Sequence, residues 1–249
     1  MKKTAYTSLL LLFLTAVSTL TAQQKNITLE DIWGGQFRAE YLDVLRSLDN
    51  GKEYSVLNRS RNGSTVDVYD YKSGKKVRTL VNSNSLPEVD QIISYEFSDD
   101  EGKLLLATRL KQIYRRSSLG TYYVYDIDSK KLTLVSEDQI QEPTFTKDGS
   151  KVAYGKDNNL FIKNLKSGET LQITSDGEKN SIINGITDWV YEEEFAFVRA
   201  FDWNKTGNKL AYIKFDETEV PRFSMDVYGK DLYPTQDVFK YPKAGEPNA

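Results

Sequence analysis

The chain has 249 residues, with Lys+Arg 33 against Asp+Glu 36 and a formal net charge of −3. A hydrophobic share of 39% excludes long disordered or collagen-like structure, and the near-balanced charge carries no nucleic-acid footprint. Cys and His are both absent, which excludes disulfides, thiolate metal sites and a Ser-His-Asp triad built from this chain alone.

The N-terminus reads Met1-Lys2-Lys3, then an apolar run Leu9–Leu14, then small residues to Ala22. A basic start, a short apolar stretch and a small-residue exit predict a signal peptide over 1–22, cleaved after Ala22. An uncleaved membrane anchor is the alternative, but Leu9–Leu20 is short and diluted by Ser and Thr for a spanning helix. The expected location is therefore periplasmic or secreted, and an exported chain without Cys suits a bacterial periplasm.

Beyond the leader, Thr28–Trp33 reads as a short helix and Glu40–Leu45 as a lead-in strand. Two units then recur. The first is a tight turn followed by an apolar strand: Phe97 to Ala107, Phe145 to Tyr154 and Trp203 to Tyr212, with a weaker copy at Leu48 to Leu57. The glycines of these turns, Gly51, Gly102, Gly149 and Gly207, are 51, 47 and 58 residues apart. They are expected to supply the positive φ of a tight hairpin. The second unit is an alternating strand, a polar turn and another strand: Val66–Val77, Tyr123–Leu132 and Leu160–Leu171. Two hairpins per repeat of roughly 50 residues make four strands, which is a propeller blade. The prediction is an all-β β-propeller of four-stranded blades, with four repeats over 49–214. A β-sandwich with coincidental spacing is the alternative.

The 58-residue interval holds an insertion, Asn184-Gly-Ile-Thr-Asp-Trp-Val-Tyr-Glu-Glu-Glu-Phe195. Asp188 or Thr187 can cap a helix beginning near Trp189, so a short inserted helix is expected near 188–195. Glu192, Glu193 and Glu194 then fall in or near its first turn. The plain reading is that such carboxylates satisfy the helix dipole. The functional one is a cation site that grips an ammonium group. The tail from Tyr241 to Ala249 reads as loop, and the chain looks cut rather than finished.

The string 184–195 closely resembles the signature of the dipeptidyl peptidase IV family of serine exopeptidases. Leu210–Pro221 and Tyr241–Gly245 resemble further segments of that family. The resemblance implies that 23–249 is the N-terminal part of an eight-bladed propeller, about its first four blades. In the family an α/β-hydrolase domain follows the propeller and carries the nucleophile, acid and histidine. The implied activity is release of X-Pro or X-Ala dipeptides from peptide N-termini, with no cofactor. The implied partners are the free ammonium of a peptide substrate and that hydrolase domain, and a homodimer is left open. By position, Glu193 and Glu194 correspond to the ammonium-binding pair. Arg115 corresponds to an arginine that holds the first substrate carbonyl, with Arg116 as the alternative because the preceding stretch is one residue longer than the family pattern. No catalytic residue and no Gly-x-Ser-x-Gly elbow occurs in this chain. The competing function is a non-catalytic periplasmic propeller, resembling Tol-type repeat proteins, that binds another protein.

Overall fold

The computed structural model describes residues 26–39 and 44–249. The predicted signal peptide over 1–22 and most of the lead-in strand at 40–45 lie outside these residues. The chain divides into two units, 1–42 and 43–249. In the first, α1 (Leu29–Trp33) opens with a reciprocal cap: Asp31 N–H donates to Thr28 Oγ1 at 3.1 Å and Thr28 N–H donates to Asp31 Oδ2 at 3.2 Å.

The second unit is built from antiparallel sheets. β1 (Leu45–Ser47), β2 (Glu53–Ser60), β3 (Gly63–Asp70) and β4 (Lys76–Asn82) form the first. β5 (Ser94–Phe97), β6 (Lys103–Gln112), β7 (Ser118–Asp126) and β8 (Leu132–Leu134) form the second. β9 (Gln141–Phe145), β10 (Lys151–Lys156), β11 (Asn159–Asn164) and β12 (Thr170–Gln172) form the third. Each sheet runs in chain order, the up-and-down course of a propeller blade.

Period-two alternation stacks the blades. On β6, Leu104 and Leu106 join Val66, Val81 and Ile92 in a cluster shared with the first blade. Leu105, between them, faces the other way and packs with Val152 and Tyr154 of the third. On β10 the pattern repeats: Ala153, between Val152 and Tyr154, joins Leu160, Ile186, Val198 and Phe201. The central strands of the second and third blades therefore bury side chains on both faces, which accounts for their near-continuous apolar sequence.

The repeat turns differ from expectation in one copy. Gly51, Gly149 and Gly207 have φ of 64°, 61° and 64°, but in the second copy the positive φ of 55° falls on Glu101 and Gly102 follows it. The carboxylate of Asp100 stabilises that turn, accepting from Ser98 Oγ at 2.6 Å and Gly102 N–H at 3.1 Å. Asp148 does the same in the third copy, and the hydrogen bonds from Thr146 and Ser150 hold its carboxyl down at about 2.

The fourth repeat departs further from a four-stranded blade. β13 (Ile182–Asn184) pairs with β16 (Lys214–Asp216), and β14 (Phe201–Trp203) pairs with β15 (Leu210–Tyr212). β15 and β16 follow one another, so β13 and β14 lie end to end opposite them as one strand interrupted by residues 185–200. The roots of the interruption are tied together. Ala200 N–H donates to Gly185 O at 2.9 Å, and Ile213 N–H donates to Ala200 O at 2.8 Å. Gly185 has φ 74°, and a Cβ there would stand 2.6 Å from Leu160 Cδ2, so glycine is required on both counts. A separate hairpin, β17 (Arg222–Val227) with β18 (Thr235–Lys240), follows.

Candidate functional site

The interruption carries α2 (Trp189–Phe195). Of the two predicted caps, Asp188 takes the role: its Oδ1 accepts Tyr191 N–H at 2.8 Å. Thr187 instead closes the far end, donating its hydroxyl to Phe197 O at 3.1 Å and its N–H to Val198 O at 3.0 Å. That closure holds Ala196 in the left-handed conformation at φ 60°, where the helix stops. Tyr191 packs edge-on against Phe215 at 4.9 Å, and Trp189 packs against Tyr241 at 4.9 Å and Phe239 at 5.8 Å. These rings fix the rotation of a helix too short to be stable by itself.

Consecutive helical residues turn by about 100°, so the three glutamates cannot share a direction. Glu192 is 1% exposed. Its Oε1 accepts the backbone N–H groups of Arg116 at 2.5 Å and Ser117 at 2.8 Å. Glu193 is half-buried, and its Oε2 lies 3.1 Å from Arg115 Nε. Glu194 is exposed.

The arginines occupy the loop between β6 and β7, whose pairing ends at Gln112 and Ser118. Ile113 N–H donates to Ser117 O at 2.9 Å, Tyr114 N–H donates to Ser117 Oγ at 3.3 Å, and Gln112 Nε2 donates to Tyr114 O. The structure brings Arg115 and Glu193 into an ion pair, with Glu194 next to Glu193 on the helix. Arg116 meets the helix through its backbone, and its side chain is exposed. The Arg115 side chain is 72% exposed, so the ion pair adds about 0–1 kcal/mol to stability. Its significance lies in placement: two carboxylates on the outgrowth and one guanidinium on the adjoining β6–β7 loop can take an ammonium and a neighbouring carbonyl together.

A cavity of about 440 Å³ adjoins the loop and the helix, lined in part by Tyr114, Ser117, Asp188, Trp189, Glu217 and Lys240. Burial, then the carboxylates of Asp237, Glu217, Glu192 and Asp188, push the Tyr114 hydroxyl up to about 12. Burial, and then the charge of Asp188, raise Glu217 from 4.5 to about 7, while Lys240 opposes the rise. Lys240 is otherwise engaged, donating its ammonium to Val220 O at 2.6 Å and Thr218 O at 3.2 Å. Folded Glu217 binds its proton more tightly than the unfolded chain does. Its contribution is fully present below 4.5 and is lost as pH rises to about 7. Glu217→Gln is therefore expected to leave stability unchanged at pH 4 and to raise it by about 1–3 kcal/mol at pH 8. Denaturant midpoints of both proteins at the two pH values check this, and an equal difference at both contradicts it.

Two roles were not assigned from the residues: Glu192 as acceptor for the arginine loop, and Glu217 as a buried acid. The signal for the first lay in the triplet itself, since three successive helical positions span about 200° and one of them must turn inward. No sequence pattern singles out Glu217.

Residues 98–249 match the family model described as the dipeptidyl peptidase IV (DPP IV) N-terminal region. Human prolyl endopeptidase FAP is 33% identical over 225 residues, covering 89% of this chain and 29% of that protein. Probable dipeptidyl-aminopeptidase B of Chaetomium globosum is 29% identical over 258 residues, covering 90% and 28%. The crystal structure of Porphyromonas gingivalis dipeptidyl peptidase 4 superposes with a TM-score of 0.82 at 39% identity, over 90% of this chain and 32% of that one. The chain thus spans about three tenths of the length of the relatives it matches. With the family model covering more than half of the sequence, and with the blades and the inserted helix in place, the chain belongs to the dipeptidyl peptidase IV family and carries its N-terminal propeller region.

Proposed function

We propose that this chain is the substrate-recognition part of an exported, serine-type dipeptidyl peptidase, and that Glu193, Glu194 and Arg115 hold the N-terminus of its peptide substrate. The observation that carries the reading is the meeting of Arg115 with Glu193 on the inserted helix, beside the exposed Glu194. The two carboxylates take the free ammonium, and the guanidinium takes the carbonyl of the first residue. Fixing both ends of that residue presents the bond after the second residue to a nucleophile supplied by the hydrolase region of a longer protein. The clamp thus contributes orientation rather than bond-breaking chemistry, and acyl transfer through serine supplies the rest. A propeller that only bound another protein would have no use for an outgrowth tied so closely to one arginine.

The relatives' names include both a prolyl endopeptidase and a dipeptidyl-aminopeptidase, so dependence on a free amine is the property to test. A version extended through the hydrolase region is expected to release dipeptides from Gly-Pro and Ala-Pro chromogenic substrates. The 249-residue chain, which has no His, is expected to release none. Serine-reagent-sensitive turnover by the 249-residue chain contradicts the proposal, as does an extended protein indifferent to proline in second position.

A further inference from the structure

Glu192 is the glutamate of the triplet that substrate cannot reach, being 1% exposed. A buried carboxylate is costly unless its oxygens are hydrogen-bonded, and this one is spent on a loop 75 and 76 residues away. Its Oε1 accepts from two successive N–H groups, those of Arg116 and Ser117, at 2.5 Å and 2.8 Å. Both donors sit in the loop beyond the last β6–β7 pair, where the ladder no longer supplies acceptors. Two charge-assisted bonds converging on one oxygen fix the loop more tightly than the exposed ion pair beside them can.

The adjacency on both sides gives this contact its consequence. Glu193 follows Glu192, and Arg115 precedes Arg116. Whatever sets the distance from Glu192 to the loop backbone also sets the distance from the Arg115 guanidinium to Glu193 and Glu194. We infer that Glu192 is a positioning residue: it locks the arginine loop to the inserted helix, so that carbonyl-binding and ammonium-binding groups keep the spacing of one peptide residue. The inference rests on the clamp proposed above, and it assigns the first glutamate a role through the loop rather than on the substrate.

Reach decides before charge does: the charge strengthens the two bonds, but an acceptor oxygen must first stand where both N–H groups meet it. Glu192→Gln keeps the oxygen and the reach. Glu192→Asp keeps the charge and withdraws the oxygen by one methylene. Glu192→Ala removes it. In a version extended through the hydrolase region, KM for Ala-Pro-nitroanilide is expected to rise at least about tenfold in Glu192→Ala, with kcat falling less. Glu192→Asp should rise at least about fivefold, and Glu192→Gln should stay within about threefold. Because the effect acts through the loop, it should shrink to within about twofold in an Arg115→Ala background. Labelling of the serine by a fluorophosphonate probe verifies that each variant is folded. If Glu192→Ala is not recovered folded, the order of Asp and Gln decides.

An aspartate variant better than the glutamine one, or losses that add fully to Arg115→Ala, overturn the positioning role. If Arg115→Ala and Glu193→Gln are themselves silent, the clamp fails and the inference falls with it. If those two are impaired while Glu192→Ala is not, only the inference falls.

Discussion

Glu193→Gln and Glu194→Gln are each expected to lower kcat/KM for X-Pro substrates at least about tenfold in a version extended through the hydrolase region. A tenfold loss corresponds to about 1.4 kcal/mol, and a hydrogen bond between charged groups contributes about 1.5–3 kcal/mol. Glu193 should be the more sensitive of the two. It is half-buried and already paired with Arg115, so neutralising it also releases the guanidinium. Glu194 is exposed and partly screened before substrate covers it. Steady-state kinetics on Ala-Pro-nitroanilide read both effects. Full activity in both variants would return the pair to surface carboxylates in the last turn of α2.

Leu160→Ala is expected to destabilise the second unit by about 2–5 kcal/mol, the usual range for a fully buried leucine truncated in a packed core. Leu160 is 0% exposed and lies in the cluster with Ala153, Ile186, Val198 and Phe201. Its side chain also lies under Gly185, at the root of the interruption that bears α2. Ile186 and Val198 stand on the two arms of that outgrowth, so a cavity here loosens the footing of α2 as well as the blade interface. Leu171→Ala, at a site 63% exposed, should cost less than about 0.5 kcal/mol. Paired denaturant melts check the difference, and equal losses would contradict the blade stacking described above.

The blades were legible because their signals are local. Period-two alternation on β6 and β10 and the turn chemistry at Gly51, Gly149 and Gly207 need no knowledge of the rest of the chain. The shift of the positive φ from Gly102 to Glu101 was not legible, since the carboxylate of Asp100 can stabilise a turn in more than one register. The fourth repeat was legible as turns and strands but not as a blade. Its Gly-and-turn unit at 203–212 announces only β14 and β15. The pairing of β13 with β16 depends on contacts across the interruption. The cap at Asp188 and the helix over Trp189–Phe195 followed from the residues 188–195. Which glutamate faces where did not, because the helix's rotation is set by Trp189 and Tyr191 packing on Phe239, Tyr241 and Phe215. Arg115 was chosen over Arg116 from the resemblance alone, and its ion pair with Glu193, which joins segments distant in sequence, was not legible.

The proposed function stands or falls on recognition of a free peptide amine by Glu193 and Glu194. It is tested most directly by the ratio of kcat/KM for an X-Pro substrate with a free N-terminus to that for its N-acetylated form, on the unaltered protein extended through the hydrolase region. Acetylation removes the cation and leaves two partly desolvated carboxylates facing an uncharged amide. A ratio of at least about a hundred is expected. Equal rates for the two substrates would contradict it.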